Sequence, residues 1–318
     1  MVYVLALGAA FANALTSILQ RMGVEDAPDR TTLRVSLLTH ALRRGIWLAG
    51  FVVMVMSFLM QAVALHFGRL TQVQPILTTE LLFLVFLLGS SFGFRIGWRE
   101  WVGTLATAGG LAGFLIFASP GGGNIVPTAS EWLEVGLSCA GAAAVAVLLA
   151  TRGSRWRRAA MFGSASAIGF AFTASLTKVV STYAAHDWAS LLRHWETYAL
   201  AVCGVVSLFL AQNAFHAGPI AASQSTLVMV DPLASILIGV SLFGDQLRTS
   251  GAWGPLEALS LLVMFAGALL LCRSPLVRGV KTTESDDQVY LLLRWRSQHA
   301  QAEIPGPAEI PGPRAANP

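Results

Sequence analysis

Nine long apolar runs dominate this chain and leave it little freedom of fold. They are Val2–Gln20, Ile46–Phe67, Leu70–Phe92, Trp101–Ala118, Trp132–Ala150, Ala159–Val180, Thr197–Ala217, Pro219–Phe243 and Trp253–Cys272. A bilayer's hydrocarbon core is about 30 Å thick and takes about 20 apolar residues to cross as helix. Barrel strands would appear as alternating segments of about ten residues. These runs are longer and continuous, so they predict an all-α membrane protein of nine transmembrane helices.

Composition points the same way. Of 318 residues, 12% are charged and 55% apolar, with mean hydropathy +0.63. Soluble domains carry about 25% charged residues. Disorder needs low hydrophobicity and high charge, which most of this chain lacks. The 30 glycines show no period of three, which excludes collagen. A net charge of +4 is too small to point to nucleic acid. Cys139, Cys203 and Cys272 each stand alone in an apolar run, without metal-ligand spacing or a disulfide framework. They read as small apolar residues.

Basic residues predict the orientation. With the N-terminus outside, the inner segments carry Arg21, Arg30, Arg34, Arg43, Arg44, Arg95, Arg99, Arg152, Arg155, Arg157, Arg158, Arg273, Arg278 and Lys281. The outer segments carry Arg69, Arg193 and Arg248. Basic residues collect on the cytoplasmic side, so the expectation is N-terminus out and C-terminus cytoplasmic. Trp47, Trp98, Trp101, Trp132, Trp156, Trp195 and Trp253 lie at run ends, as in an interfacial belt. The first run has no basic residue before it and no Ala-x-Ala site after it, so it does not read as a signal peptide. Short loops suggest a bacterial inner membrane, by economy alone.

Two segments are too polar to span. Residues 21–45 mix leucines with arginines, as an interfacial amphipathic helix does. Residues 276–318 read as a disordered cytoplasmic tail. They hold the tandem Ala302–Pro307 and Ala308–Pro313, each Ala-Glu-Ile-Pro-Gly-Pro. Two prolines in six residues forbid regular helix.

The chain also repeats itself. Ala64-Leu-His66-Phe-Gly68 returns as Ala214-Phe-His216-Ala-Gly218, and Gln74 returns as Gln224. Trp98 returns as Trp253, Ser119-Pro120 as Ser274-Pro275, and Arg21 as Lys178. Runs one to four thus correspond to runs six to nine. The predicted transmembrane domain, 1–275, divides into repeat one (1–120), a spacer helix (131–151) and repeat two (156–275). Corresponding helices are five apart, an odd number, so the repeats are expected to be inverted. Secondary transporters use this arrangement, with a site near the midplane.

Several motifs follow this pattern. Ser17-Ile-Leu-Gln20-Arg21-x-Gly23 ends the first run, and Ala64-x-x-x-Gly68 leads into Thr71-Gln-Val-Gln-Pro75. Phe243-Gly244-Asp245 ends the eighth run, before a glycine-containing helix. The chain resembles the drug/metabolite transporter superfamily over about residues 1–275. It is most similar to the nine-helix, magnesium-transporter-like and EamA-like members. The first half departs from the pattern, because Gly89 is followed by Ser90 and not by an acid. The resemblance implies a secondary transporter working by alternating access. Its substrate would be a small cation such as Mg²⁺, or a small polar metabolite or drug, with proton coupling as an option.

Intramembrane charges mark function by default, since each costs about 2.5–3.5 kcal/mol on insertion scales. Glu80 lies near the middle of the third run and Asp231 at the middle of the eighth. They are candidates to bind a metal or other cation, or to carry a proton. The alternative is a neutral hydrogen-bonded carboxyl locking two helices together. Gln224, Asp231 and Ser235 share a helical face, and Pro232 frees the carbonyl of Val228. Such oxygen donors suit Mg²⁺ with water retained, and equally a polar organic solute. Pro75 would break its helix near Gln72 and Gln74, or simply mark the helix start. Asn13, Thr16, Ser17 and Gln20 form a polar face on the first helix.

The expected cavity is lined by Asn13, Gln74, Glu80, Gln212, Gln224 and Asp231, with Ser235 beside them. His66 and His216 are gating or relay candidates at opposite membrane ends. Lys178 reads as snorkelling to an interface, with contact to an anionic substrate as the alternative. Glu257 reads as interfacial, and Gly109-x-x-x-Gly113 as a close-packing face. No catalytic or nucleotide-binding motif appears, so neither an enzyme nor a cofactor is expected. The expected partners are the lipid bilayer and the substrate; a homodimer is left open. The competing class is a non-transporting scaffold or a membrane-embedded enzyme, for which His66, Asp187 and His194 are the only outer acid–base candidates.

Overall fold

A computed structural model describes residues 1–24, 45–92, 96–122, 127–218, 220–248 and 251–274. The interfacial helix expected over 21–45 lies almost wholly outside these residues, as does the tail. Within them the protein is a helical bundle. Its helices are α1 (Val2–Val24), α2 (Gly45–Phe67), α3 (Leu70–Leu77), α4 (Glu80–Phe92), α5 (Trp98–Ala118), α6 (Ala129–Ala150), α7 (Arg155–His186), α8 (Trp195–Ala217), α9 (Ile220–Phe243) and α10 (Trp253–Cys272). Among the described residues, nine segments are long and apolar enough to cross a bilayer, with α3 and α4 together forming one. The chain is a multi-pass membrane protein. In hydrocarbon each backbone polar group must be paired, and a helix pairs them within itself.

One strand pair accompanies the helices. β1 (Gly121–Gly122) pairs antiparallel with β2 (Asp245–Gln246). Arg248 N adds a hydrogen bond to the Ala118 carbonyl at 2.9 Å, tying the end of α5 to the end of α9.

The helices associate in a regular way. α1 lies along α2 and α4, while α7 lies along α8 and α9. α5 packs mainly on α10. Of the spanning window of α7, 56% is buried, against 6% for α6. α7 is therefore the central post, and α6 is a peripheral helix resting on it. Exposed Leu133, Leu137, Val145 and Leu148 give α6 an apolar outer face suited to lipid.

Small residues set the closest approaches. A Cβ on Gly110 would strike the backbone of Met264, and one on Gly267 would strike the backbone of Thr107. Gly113 meets Ser260, whereas Gly109 faces open space. The seam between α5 and α10 thus runs through Gly103, Gly110, Gly113 and Gly267, and the expected Gly109 contact is absent from it. Small residues let helix backbones approach where no hydrophobic force separates helix from lipid.

Burial refines three other expectations. Trp132, in the first turn of α6, is only 5% exposed and packs edge-on against Phe172 and Trp195. Glu257, near the start of α10, is buried against its neighbours. Lys178 does not snorkel. It is 6% exposed, its Nζ has no hydrogen-bond partner, and it sits 4.6 Å from the centre of the Phe243 ring. Its position on α7, eight residues before the helix end, points it inward at the foot of α9.

Candidate functional site

The third apolar run is not one helix. α3 stops at Leu77 and α4 begins at Glu80, with Thr78 and Thr79 in a turn. The missing N–H of Pro75 falls one turn earlier, opposite the Thr71 carbonyl. At the break the chain tightens: Thr78 N and Oγ1 both donate to the Pro75 carbonyl, at 3.2 and 2.6 Å. Thr79 N and Oγ1 donate to the Ile76 carbonyl, at 3.0 and 2.7 Å. The break therefore falls three residues beyond Pro75, and not at Gln72 or Gln74. It leaves Glu80 in the first turn of α4, where the positive end of a helix dipole favours a carboxylate.

Beside this break is a cavity of about 600 Å³. Asn13, Gln74, Glu80, Gln212, Gln224 and Asp231 all line it, from α1, α3, α4, α8 and α9. Glu80 and Asp231 come to it from different helices, α4 and α9. Each is half-buried, and each faces the same space. Ser235 stands behind the wall, fully buried, with its Oγ 3.4 Å from Asp231 Oδ1. Val228 and Pro232 are also in the lining, so the kinked stretch of α9 borders the cavity.

Asn13 is held from α2, where Ser57 Oγ donates to Asn13 Oδ1 at 2.7 Å. Asn13 and Glu80 line the cavity from α1 and α4. Ser57 is a residue that the pattern reading missed. A lone Ser in an apolar helix looks like filler, and only the α1–α2 crossing gives it a partner. Gln61, Thr78, Thr173 and Thr177 were missed likewise, and all four line the cavity.

Other candidates lie elsewhere. Of the polar face on α1, Ser17 reaches the cavity with Asn13, but Thr16 is buried away from it. The side chains of Gln20 and His216 lie outside the described residues. His66 is not in the lining; its Nδ1 is 3.4 Å from Thr182 Oγ1. Among the described residues, no group of three or more His, Cys, Asp or Glu gathers to hold a metal. The outer acid–base candidates each serve structure: Asp187 caps the turn Trp188–Arg193 through Ala189 N, and His194 stacks on Tyr183.

A polar collar closes the bundle at the α3 start. Asp245 Oδ2 accepts from Thr71 N at 3.3 Å and Thr71 Oγ1 at 2.9 Å. Arg69 Nε donates to the Gly122 carbonyl at 2.6 Å, and Gln72 Nε2 donates to Pro120 O at 3.2 Å. Lys178 is buried beside this layer, against the Phe243 ring. The cavity lining instead reaches Phe215 and Gln224, near the α8–α9 connection at the opposite end.

Comparisons with known proteins add one relative. The chain is 26% identical over 272 residues to a protein of Corynebacterium glutamicum described as uncharacterized, covering 85% of this chain and 93% of that one. No family model matches. No solved structure matches.

Proposed function

We propose that the protein is a secondary transporter of the drug/metabolite kind, which moves a small solute through the central cavity by alternating access. One observation carries this reading: Glu80 and Asp231, on separate helices, line one cavity beside a broken helix. Discontinuous helices at midplane sites are a recurring device of secondary transporters. Locking carboxyls would face helix contacts, whereas these face open volume. The pairing of α1 with α2 and α4, echoed by α7 with α8 and α9, supports two related halves moving against each other. The collar at Thr71 and Asp245 would be the shut gate of this state.

The carboxylates would take a cation or a proton in turn, since an unpaired charge within the membrane is costly. Flux of labelled solutes into proteoliposomes tests the reading. Transport should collapse when Glu80→Gln and Asp231→Asn are combined. Unchanged flux in that double variant would remove the carboxylates from the mechanism.

A further inference from the structure

We infer that the cavity takes an organic cation, a substituted ammonium of drug-like size with an apolar or aromatic body, and not a bare metal ion or an anion. The inference rests on the reading of this cavity as a solute site. Three features of the wall carry it.

The first is charge. Glu80 and Asp231 line the cavity, and among the described residues no Lys, Arg or His does. An anion entering here would meet two carboxylates and no counter-charge, and burying an unpaired charge is costly. Lys178, the nearest buried ammonium on α7, belongs to the Phe243 and Asp245 layer and is not in the lining.

The second is the donor set. Among the described residues, the two carboxylates line the cavity without a third acidic or imidazole ligand. Asn13, Gln74, Gln212 and Gln224 are amides spread over α1, α3, α8 and α9. An amide both donates and accepts, so these four can pair an N–H or a hydroxyl of an organic solute in either direction. A divalent ion uses only the acceptor half, and Mg²⁺ demands near-ideal octahedral geometry at about 2.1 Å. Groups distributed around about 600 Å³ do not form such a cage. That volume falls in the range of sites for drug-sized ligands, about 300–1,000 Å³.

The third is the apolar wall. Phe58, Phe170 and Phe215 come from α2, α7 and α8 and border the same space. Ring faces attract alkylammonium groups, and quaternary ammonium is recognised in this way by aromatic cages. A hydrated metal ion gains nothing from three phenyl rings. An organic cation uses both halves of the wall, its charge toward Glu80 and Asp231 and its body against the rings.

The test uses the purified full chain in lipid nanodiscs and measures equilibrium binding directly. The probes are benzyltrimethylammonium, Mg²⁺ and benzenesulfonate. Saturable binding of the ammonium is expected, with no displacement by a hundredfold excess of Mg²⁺ or by the sulfonate. Glu80→Gln and Asp231→Asn should each weaken it about tenfold or more, as loss of a charge-assisted contact does. Phe170→Ala should weaken the ammonium while leaving any Mg²⁺ signal unmoved. Displacement by Mg²⁺, or binding of the sulfonate, overturns the inference in wild-type protein and needs no variant. Flux is read separately in proteoliposomes. Binding of the ammonium without flux keeps this inference and removes the transport reading. Flux of Mg²⁺ or an anion without ammonium binding does the reverse.

Discussion

Ser57 Oγ lies 2.7 Å from Asn13 Oδ1 and 2.8 Å from the Ala9 carbonyl, so one hydroxyl hydrogen serves two acceptors where α1 crosses α2. The contact ties Asn13, a cavity-lining side chain, to the crossing of α1 and α2. Ser57→Ala removes this hold without removing any group from the cavity wall. The fold should lose about 1 kcal/mol, in line with interhelical hydrogen bonds in membranes. Solute affinity should fall several-fold while Ser57→Thr keeps most of it. Parallel melting curves and binding isotherms separate the two effects.

Lys178 and Asp245 are opposite charges buried toward the Phe243 end of α9. Asp245 Oδ1 and Lys178 Nζ are both without a hydrogen-bond partner. Removing either leaves the other uncompensated, which is the costly case for buried ions. Lys178→Met and Asp245→Asn should each destabilise the protein, and the double variant should recover part of the loss. A double-mutant cycle read by thermal unfolding should give a coupling of about 1 kcal/mol. Strict additivity would show that the two charges do not communicate.

The α5–α10 seam makes a contrast within one helix. Gly110→Val would drive a side chain into the Met264 backbone, while Gly109→Val would enter open space. Overpacking of this kind costs about 1–3 kcal/mol. The Gly110 variant should melt well below the wild type, and the Gly109 variant should stay close to it. Equal melting temperatures would mean that the seam does not hold the helices together.

The break between α3 and α4 is held by the two threonines. Thr78→Val with Thr79→Val deletes two side-chain hydrogen bonds to the Pro75 and Ile76 carbonyls. Each deletion should cost about 1 kcal/mol. The larger consequence is for Glu80, whose place in the first turn of α4 follows from the break. Solute binding should suffer more than stability does. Cysteine accessibility at position 80, measured in a Glu80→Cys background, would report a change of exposure.

Much of this was legible in the residues. Continuous apolar runs of about twenty decide helix over barrel and span over core, because an unpaired backbone group is intolerable in lipid whatever its neighbours are. Glu80 and Asp231 stood out for a similar reason, since a charge in an apolar run has no cheap local explanation. Asn13, Gln74, Gln212 and Gln224 stood out with them.

Contacts between helices were not legible, because they depend on crossing points and rotation about each axis. Ser57 gained its role only from lying opposite Asn13, and Trp132 became core only by meeting Phe172 and Trp195. Lys178 shows the same limit. Its place near a helix end suggested an interface, but α9 folds Phe243 over it and Asp245 beyond. The sequence by itself determined the spans and the charges that had to be explained. The tertiary structure alone decided which of them share a cavity, because the bilayer constrains each helix singly while packing constrains them in pairs.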